Sequence, residues 1–340
     1  MKSSAAQTPG KRAGVAVPTG LVYSDLLAPG IQRRRRGKGF SFHLDDGSGV
    51  APAVAEWCRA LAIPPAWREV WISLQRNGHI LCTGLDDRGR RQYRYHPDWT
   101  TARNLVKFDG LMTFARRLYR IRDRVEIDLR AQRHSHRRMV AAVVRLIDEG
   151  LVRVGNDDYA RTNGTYGAST LRERHVSLDG DRVAFAFTGK SGKARRIDLD
   201  DAELARTLHY AQELPGQRLF RYRDDAEQLR DVQSQDVNDY LQDASGLAIS
   251  AKDFRTWGGT VAAWQHADAH RQSPPKRPEL QAIKHAAGRL GNTAAVARTF
   301  YVHPLLVAAI EAGDVPPRAR RSRKNMNIEE TSVVRWLESL

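Results

Sequence analysis

The chain has 340 residues, 41% hydrophobic and 8% aromatic, enough for two domains with their own cores, which excludes disorder throughout. Its 55 Lys and Arg against 39 Asp and Glu leave a formal charge of +16, a field that favours nucleic acid, although a basic surface kept for solubility or acidic membranes has the same sign. Cys58 and Cys82 are too few for a clustered zinc site, no apolar run approaches the ~20 residues that span a bilayer, and the start MKSSAAQTPGKR lacks the apolar centre of a signal peptide, so the expectation is a soluble, unexported, cytoplasmic protein without a structural metal.

Residues 1–20 show neither helical nor strand periodicity and read as a loose tail. From Leu21 to Asp98 strands dominate. Phe40, Phe42 and Leu44 alternate, as do Val70, Ile72 and Leu74 before the Asn77-Gly78 turn signal. Ile80 to Leu85 and Arg90 to His96 complete a small antiparallel sheet, and Pro52 to Ala62 adds a helix that Pro64-Pro65 stops.

After Trp99 the period changes. Leu111, Phe114, Leu118, Ile121 and Val125 mark one helix face and open a second domain, 99–340. Ser135 can cap a helix carrying Met139, Val143 and Leu146 or Ile147, with Gly150 suited to its end. Further helices are expected over Ala202 to Glu213, Ser234 to Ser245, Phe254 to His266 and Pro278 to Leu290, and Arg182 to Thr188 with Ala194 to Leu199 flank Gly189-Lys190-Ser191-Gly192 as a hairpin. Two charge runs, Arg33 to Arg36 with Lys38 and the segment 318–324, are either solvated loops or sequence-independent phosphate contacts.

Several separated motifs carry a resemblance. Leu151-Val-Arg-Val-Gly-Asn156, then Thr165-Tyr-Gly-Ala-Ser-Thr-Leu-Arg172 with His175-Val176, then Ala251-Lys-Asp-Phe-Arg-Thr-Trp257 and a C-terminal tyrosine resemble, in order, the type IB DNA topoisomerase family, most closely its poxvirus-like and bacterial branch. The likeness runs from about Leu21 to Val307. It implies an α+β protein, with a small β-rich N-terminal domain (21–98) and a larger mainly helical catalytic domain, acting as a monomeric C-shaped clamp on duplex DNA in the nucleoid. It also implies relaxation of positive and negative supercoils without ATP or a required metal. The implied catalytic set is Arg153, Lys190, Arg255, Asn292 and Tyr301, with Tyr301 as nucleophile, Lys190 as general acid and the arginines stabilising the transition state.

One position departs from the family. Nine residues before the tyrosine, where many relatives have histidine, stands Asn292; an amide can donate to a nonbridging phosphate oxygen but cannot shuttle protons near neutral pH. Gly89-Arg-Arg-Gln-Tyr-Arg-Tyr95 matches a segment with which poxvirus-like enzymes contact bases in the major groove, which carries Arg90, Gln92, Tyr93 and Tyr95 over as DNA contacts. Arginine and glutamine can read base edges, whereas Tyr93 and Tyr95, on one face of a strand, also fit an aromatic pair packed on the core. Tyr159 is a weaker candidate of the same kind.

Gly189-Lys190-Ser191 is not a phosphate-binding loop: Ala184 occupies the place of its first glycine and a strand-like segment follows instead of a helix. No acidic constellation for magnesium is evident, and no cofactor is expected. The rival readings are a tyrosine recombinase, favoured by the spacing from Leu290-Gly-Asn292 to Tyr301 but opposed by Lys252 where recombinases have histidine, and a noncatalytic duplex-binding protein.

Overall fold

The computed structural model describes residues 18–131 and 135–340, so most of the expected tail falls outside it. The chain divides into two compact units, the first ending at Lys107 and the second spanning Phe108–Leu340. The architecture is α+β.

The first unit is a five-stranded antiparallel sheet in the order β2-β1-β3-β4-β5, built from β1 (Ile31–Arg36), β2 (Gly39–His43), β3 (Arg68–Ile72), β4 (Ile80–Leu85) and β5 (Arg91–Tyr95). Helix α1 (Pro52–Ala60) has proline in its first turn, where the missing N–H costs nothing. Ile31, Phe42, Cys58, Val70, Ile72 and Cys82 form the core of this unit. Burial pushes both thiols up, each to about 11, and neither forms a disulfide.

The arginine run is the main departure from expectation here. Ile31–Arg36 is an interior strand, because the buried Ile31 anchors it and ladder bonds to β2 and β3 do not depend on side-chain type. Arg33 is no solvated charge: its Nη1 donates to Ile63 O (3.0 Å) and its Nη2 to Pro64 O (3.1 Å) and Trp67 O (2.6 Å), while its guanidinium lies 4.1 Å from the centre of the Phe40 ring. The long apolar stem packs and the planar head closes a loop.

The boundary between units falls within α2 (Pro97–Leu129), whose Leu111, Phe114, Leu118, Ile121 and Val125 are all buried, as their spacing predicts. Helix α3 (His136–Gly150) starts at Ser135, whose side chain accepts from Arg138 N. Its end differs from expectation: Leu151, not Gly150, takes the left-handed conformation (φ 50°), and Gly150 stays helical where a Cβ would meet Ile197 and Val152 at 3.0 Å.

A short helix α4 (Asp157–Asn163) precedes a three-stranded sheet of β6 (Val176–Asp179), β7 (Arg182–Thr188) and β8 (Ala194–Asp200). The hairpin β7–β8 matches the sequence reading; β6, only four residues long, was not foreseen. Then follow α5 (Ala202–Glu213), the small ribbon β9 (Arg221–Arg223) and β10 (Leu229–Asp231), α6 (Ser234–Ser245), α7 (Ala251–Ala269), α8 (Pro278–Leu290), α9 (Ala294–Phe300), α10 (Pro304–Glu311) and α11 (Ile328–Glu338). Trp257, Trp264, Phe185, Phe220 and Phe254 are the largest fully buried side chains of this unit. No single helix among the described residues is long and apolar enough to cross a membrane.

The cations of the C-terminal basic segment are exposed, and three of them carry ion pairs. Arg318 pairs with Asp268 and Glu329, Arg323 with Glu338, and Lys324 with Asp123, so these cations staple the chain end onto α2, α7 and α11.

Candidate active site

Arg153 lies just beyond α3, in a stretch fixed by backbone contact with the second sequence motif. Ala168 N donates to Arg153 O (2.8 Å) and Ser169 N to Val154 O (2.7 Å). The approach is so close that a Cβ on Gly167 would lie 2.5 Å from Gly155 N and 2.6 Å from Arg153 O. Gly155 itself has φ +114°, open only to glycine without strain. The two motifs therefore read as one interlocked piece of backbone that aims Arg153.

Asn292 arrives from α8 through Gly291, and its N–H donates to Ala287 O (2.9 Å). Arg153 Nη2 donates to its Oδ1 at 2.6 Å. That bond fixes the amide's orientation and leaves the buried Nδ2 as a donor with no partner among the described residues.

Arg255 sits in the first turns of α7, whose start is closed by Ser250 N and Oγ donating to Asp253 Oδ2 (2.8 and 2.9 Å). Only 2% exposed, Arg255 donates to Leu151 O and, at 3.0 Å, to Leu290 O. Its guanidinium carbon stands 4.9 Å from the centre of the Tyr301 ring. Burial and the charge of Arg153 bring its pKa down to about 10, against the opposing pull of Tyr301.

Tyr301 ends α9 and is 9% exposed. Burial disfavours its phenolate, but Arg255, Arg153 and Lys252 together outweigh that and hold the phenol below its ordinary value. Its backbone packs where α7 carries Gly259, at which a Cβ would lie 2.7 Å from Tyr301 O. Thr260 Oγ1 donates to Thr256 O (2.9 Å), accepts from His303 N (3.2 Å) and lies 3.4 Å from Tyr301 O, which packs the turn after the tyrosine onto α7.

Lys190 is exposed in the β7–β8 turn, which Gly189 N closes onto Lys193 O at 2.7 Å, with Ser191 at φ 64°. It lines one cleft together with Arg153, Arg255 and Arg195. The structure thus brings Arg153, Arg255, Asn292 and Tyr301 into mutual reach and sets Lys190 at the same cleft. Two further cations there were not singled out as site residues: Lys252, one turn before Arg255 on α7, and Arg195 on β8. For Lys252 the three-residue offset from Arg255 was available as a signal; for Arg195 nothing local distinguishes it from its neighbour Arg196.

The carried-over base contacts lie on or beside β5, the edge strand of the first unit. Tyr93 and Tyr95 stack with centroids 6.0 Å apart, half-buried and outside the core cluster, so they are not a core pair. Arg90 Nε and Gln92 Nε2 both donate to Asp86 Oδ2 at 2.9 Å, and the hydrogen bond from Arg90 draws the half-buried Asp86 carboxyl down to about 2. Tyr159, 37% exposed, projects from α4 in the second unit.

A family model described as "Eukaryotic DNA topoisomerase I, catalytic core" matches residues 96–304, and one described as "Bacterial DNA topoisomerase IB, N-terminal domain" matches residues 39–86. The chain belongs to the type IB DNA topoisomerase family. Among its relatives in that family, the DNA topoisomerase 1B of Acanthamoeba polyphaga mimivirus is 29% identical over 288 residues, covering 81% of this chain and 86% of that protein. The DNA topoisomerase 1B of Vaccinia virus is 22% identical over 245 residues, 68% of this chain and 73% of its own. The DNA topoisomerase 1 of Rabbit fibroma virus is 23% identical over 239 residues, 67% of this chain and 71% of its own. The core match spans all five proposed type IB site positions, Arg153 to Tyr301.

Proposed function

We propose that this type IB topoisomerase relaxes supercoiled duplex DNA by cutting one strand with Tyr301 and resealing it. The observation that carries the reading is the Tyr301 ring 4.9 Å from the Arg255 guanidinium, with the Arg153–Asn292 pair beside it. The Tyr301 phenolate attacks the scissile phosphorus in line, the bond to the 5' oxygen breaks, and a 3'-phosphotyrosyl ester forms. Bond energy is kept in that ester, so no ATP is needed for religation. Attack by the freed 5' hydroxyl reverses the step and restores Tyr301.

Arg255 and Arg153 serve twice, favouring the phenolate and neutralising the pentacoordinate phosphorane that follows. Asn292 Nδ2 donates to a nonbridging oxygen. Lys190 protonates the departing 5' oxygen. The positive charge of the site comes from protein side chains, and activity requires no metal. The protein acts as a monomer clamped around duplex DNA, with Tyr93, Tyr95, Arg90 and Gln92 presented to the groove once DNA displaces Asp86 from the two donors, and Tyr159 as a further contact.

Positively and negatively supercoiled plasmid incubated in EDTA without ATP tests the proposal. Native protein relaxes both, and Tyr301→Phe relaxes neither. Failure of the native protein to relax either plasmid would favour recombinase or noncatalytic duplex binding.

A further inference from the structure

Arg195 occupies a position that no step above uses. It lies on β8, paired across the hairpin with Phe187, five residues beyond Lys190. Its Nη2 donates to Gly150 O and its Nη1 to Arg289 O, each at 3.0 Å. These carbonyls belong to the last turns of α3 and α8, where a cation is favoured by the helix dipole. Arg255 bridges the same two junctions one residue further on, through Leu151 O and Leu290 O. Two guanidiniums therefore span one pair of helix ends in parallel.

The two bridges differ in what they bring. Arg255 belongs to α7, which already packs on α8, and it faces Tyr301. Arg195 belongs to the hairpin, so it adds a third element to the junction. The fit is close: a Cβ on Gly291 would lie 2.6 Å from Arg195 Nη1, and one on Gly189 would lie 3.2 Å from its Cγ. Holding Arg195 there opposes burial and the nearby charges of Arg153 and Arg289, all of which lower its pKa. Tyr301, by contrast, is tuned by Arg255, Arg153 and Lys252.

We propose that Arg195 is a positioning residue that docks the Lys190 hairpin onto the ends of α3 and α8, so that proton delivery to the leaving oxygen depends on it. The inference rests on the reading of Lys190 as general acid. Lysine at this position keeps the charge but lacks the planar two-armed fork.

Single-turnover cleavage of a duplex oligonucleotide tests it, with Arg195→Ala, Arg195→Lys and Lys190→Ala compared on substrates bearing a 5'-bridging oxygen or a 5'-bridging sulfur, whose departure needs no proton. On the oxygen substrate both Arg195 variants should slow cleavage about 10- to 100-fold, and on the sulfur substrate the deficit should shrink to within about threefold. Affinity for duplex DNA, measured in the Tyr301→Phe background, should be unchanged, and so should the pH at which cleavage rises. Amide exchange at Gly189 and Gly192 should quicken in Arg195→Lys, which keeps a readout should Arg195→Ala fold poorly. Rescue of Lys190→Ala without rescue of the Arg195 variants would overturn the docking role while leaving the general acid in place. Failure of both to be rescued would remove the Lys190 assignment and the docking role with it.

Discussion

Arg153 and Asn292, 139 positions apart in sequence, share a 2.6 Å hydrogen bond in which the guanidinium donates to the amide oxygen. The bond fixes which end of the amide is a donor and aims it at whatever the buried Nδ2 must satisfy. Asn292→Ala should slow cleavage by about 10²-fold, the usual cost of removing one oxyanion donor, while Asn292→His, still a donor, should retain most activity. Single-turnover rates decide between them, and a histidine variant as slow as the alanine one would refute the hydrogen-bond role.

Tyr301 is held below the ordinary phenol value because three cations together outweigh burial. Cleavage needs the phenolate, so its rate should climb with pH and reach its half-maximum below about pH 10, where an unperturbed tyrosine is half-ionised. Lys252→Ala removes one of those cations and should move the climb to higher pH. Rates measured between about pH 6 and pH 10 check the direction; an unmoved profile would mean that Lys252 does not act on Tyr301.

Much of this site was legible in the sequence, and the reasons for the rest are local. The helices from Ala202 to Leu290 follow from periodicity and caps, and Arg153, Arg255 and Tyr301 from ordered motifs. Asn292 stood out only as a departure from those motifs, and its significance became visible when Arg153 claimed its oxygen. The partners of Arg33 and Arg318 were equally hidden. Charge in sequence says nothing of where a long side chain ends, and Arg33 ends on three backbone carbonyls while Arg318 ends on two carboxylates. Arg195 was invisible because its partners lie 45 and 94 positions away.

Gly259 leaves room that alanine would fill. Its added Cβ would lie 2.7 Å from Tyr301 O, a backbone atom with little freedom to retreat. Gly259→Ala should cost about 1–3 kcal/mol as overpacking does, and should lower the cleavage rate more than DNA affinity, because the strain falls on the nucleophile's own segment. Parallel binding and cleavage assays check the split.

Glu330, 6% exposed on α11, accepts from Arg122 Nη1 and Nη2 (both 2.8 Å) and from Trp257 Nε1 (2.9 Å). Burial raises its pKa, but the bonds from Arg122 and Trp257 more than reverse that, so its folded value is lowered. A lowered carboxyl contributes stability above its unfolded value of about 4.3 and loses it as pH falls through the folded value. Glu330→Ala should cost about 1–3 kcal/mol at neutral pH, because Arg122 keeps its two bonds to Asp148 while the buried Trp257 Nε1 loses its acceptor. Urea unfolding of Glu330→Gln and native protein should show a gap that narrows on acidification below about pH 4; a constant gap would contradict the linkage.

The chain's two thiols, Cys58 and Cys82, both sit in the core of the first unit, sealed and pushed up to about 11. A thiol reagent at neutral pH can reach them only when that sheet opens, since neither solvent access nor thiolate is available in the closed form. Their modification rate is therefore a clock for local opening of the N-terminal sheet. With no engineered label, it can time whether DNA tightens the first unit before the first strand is cut.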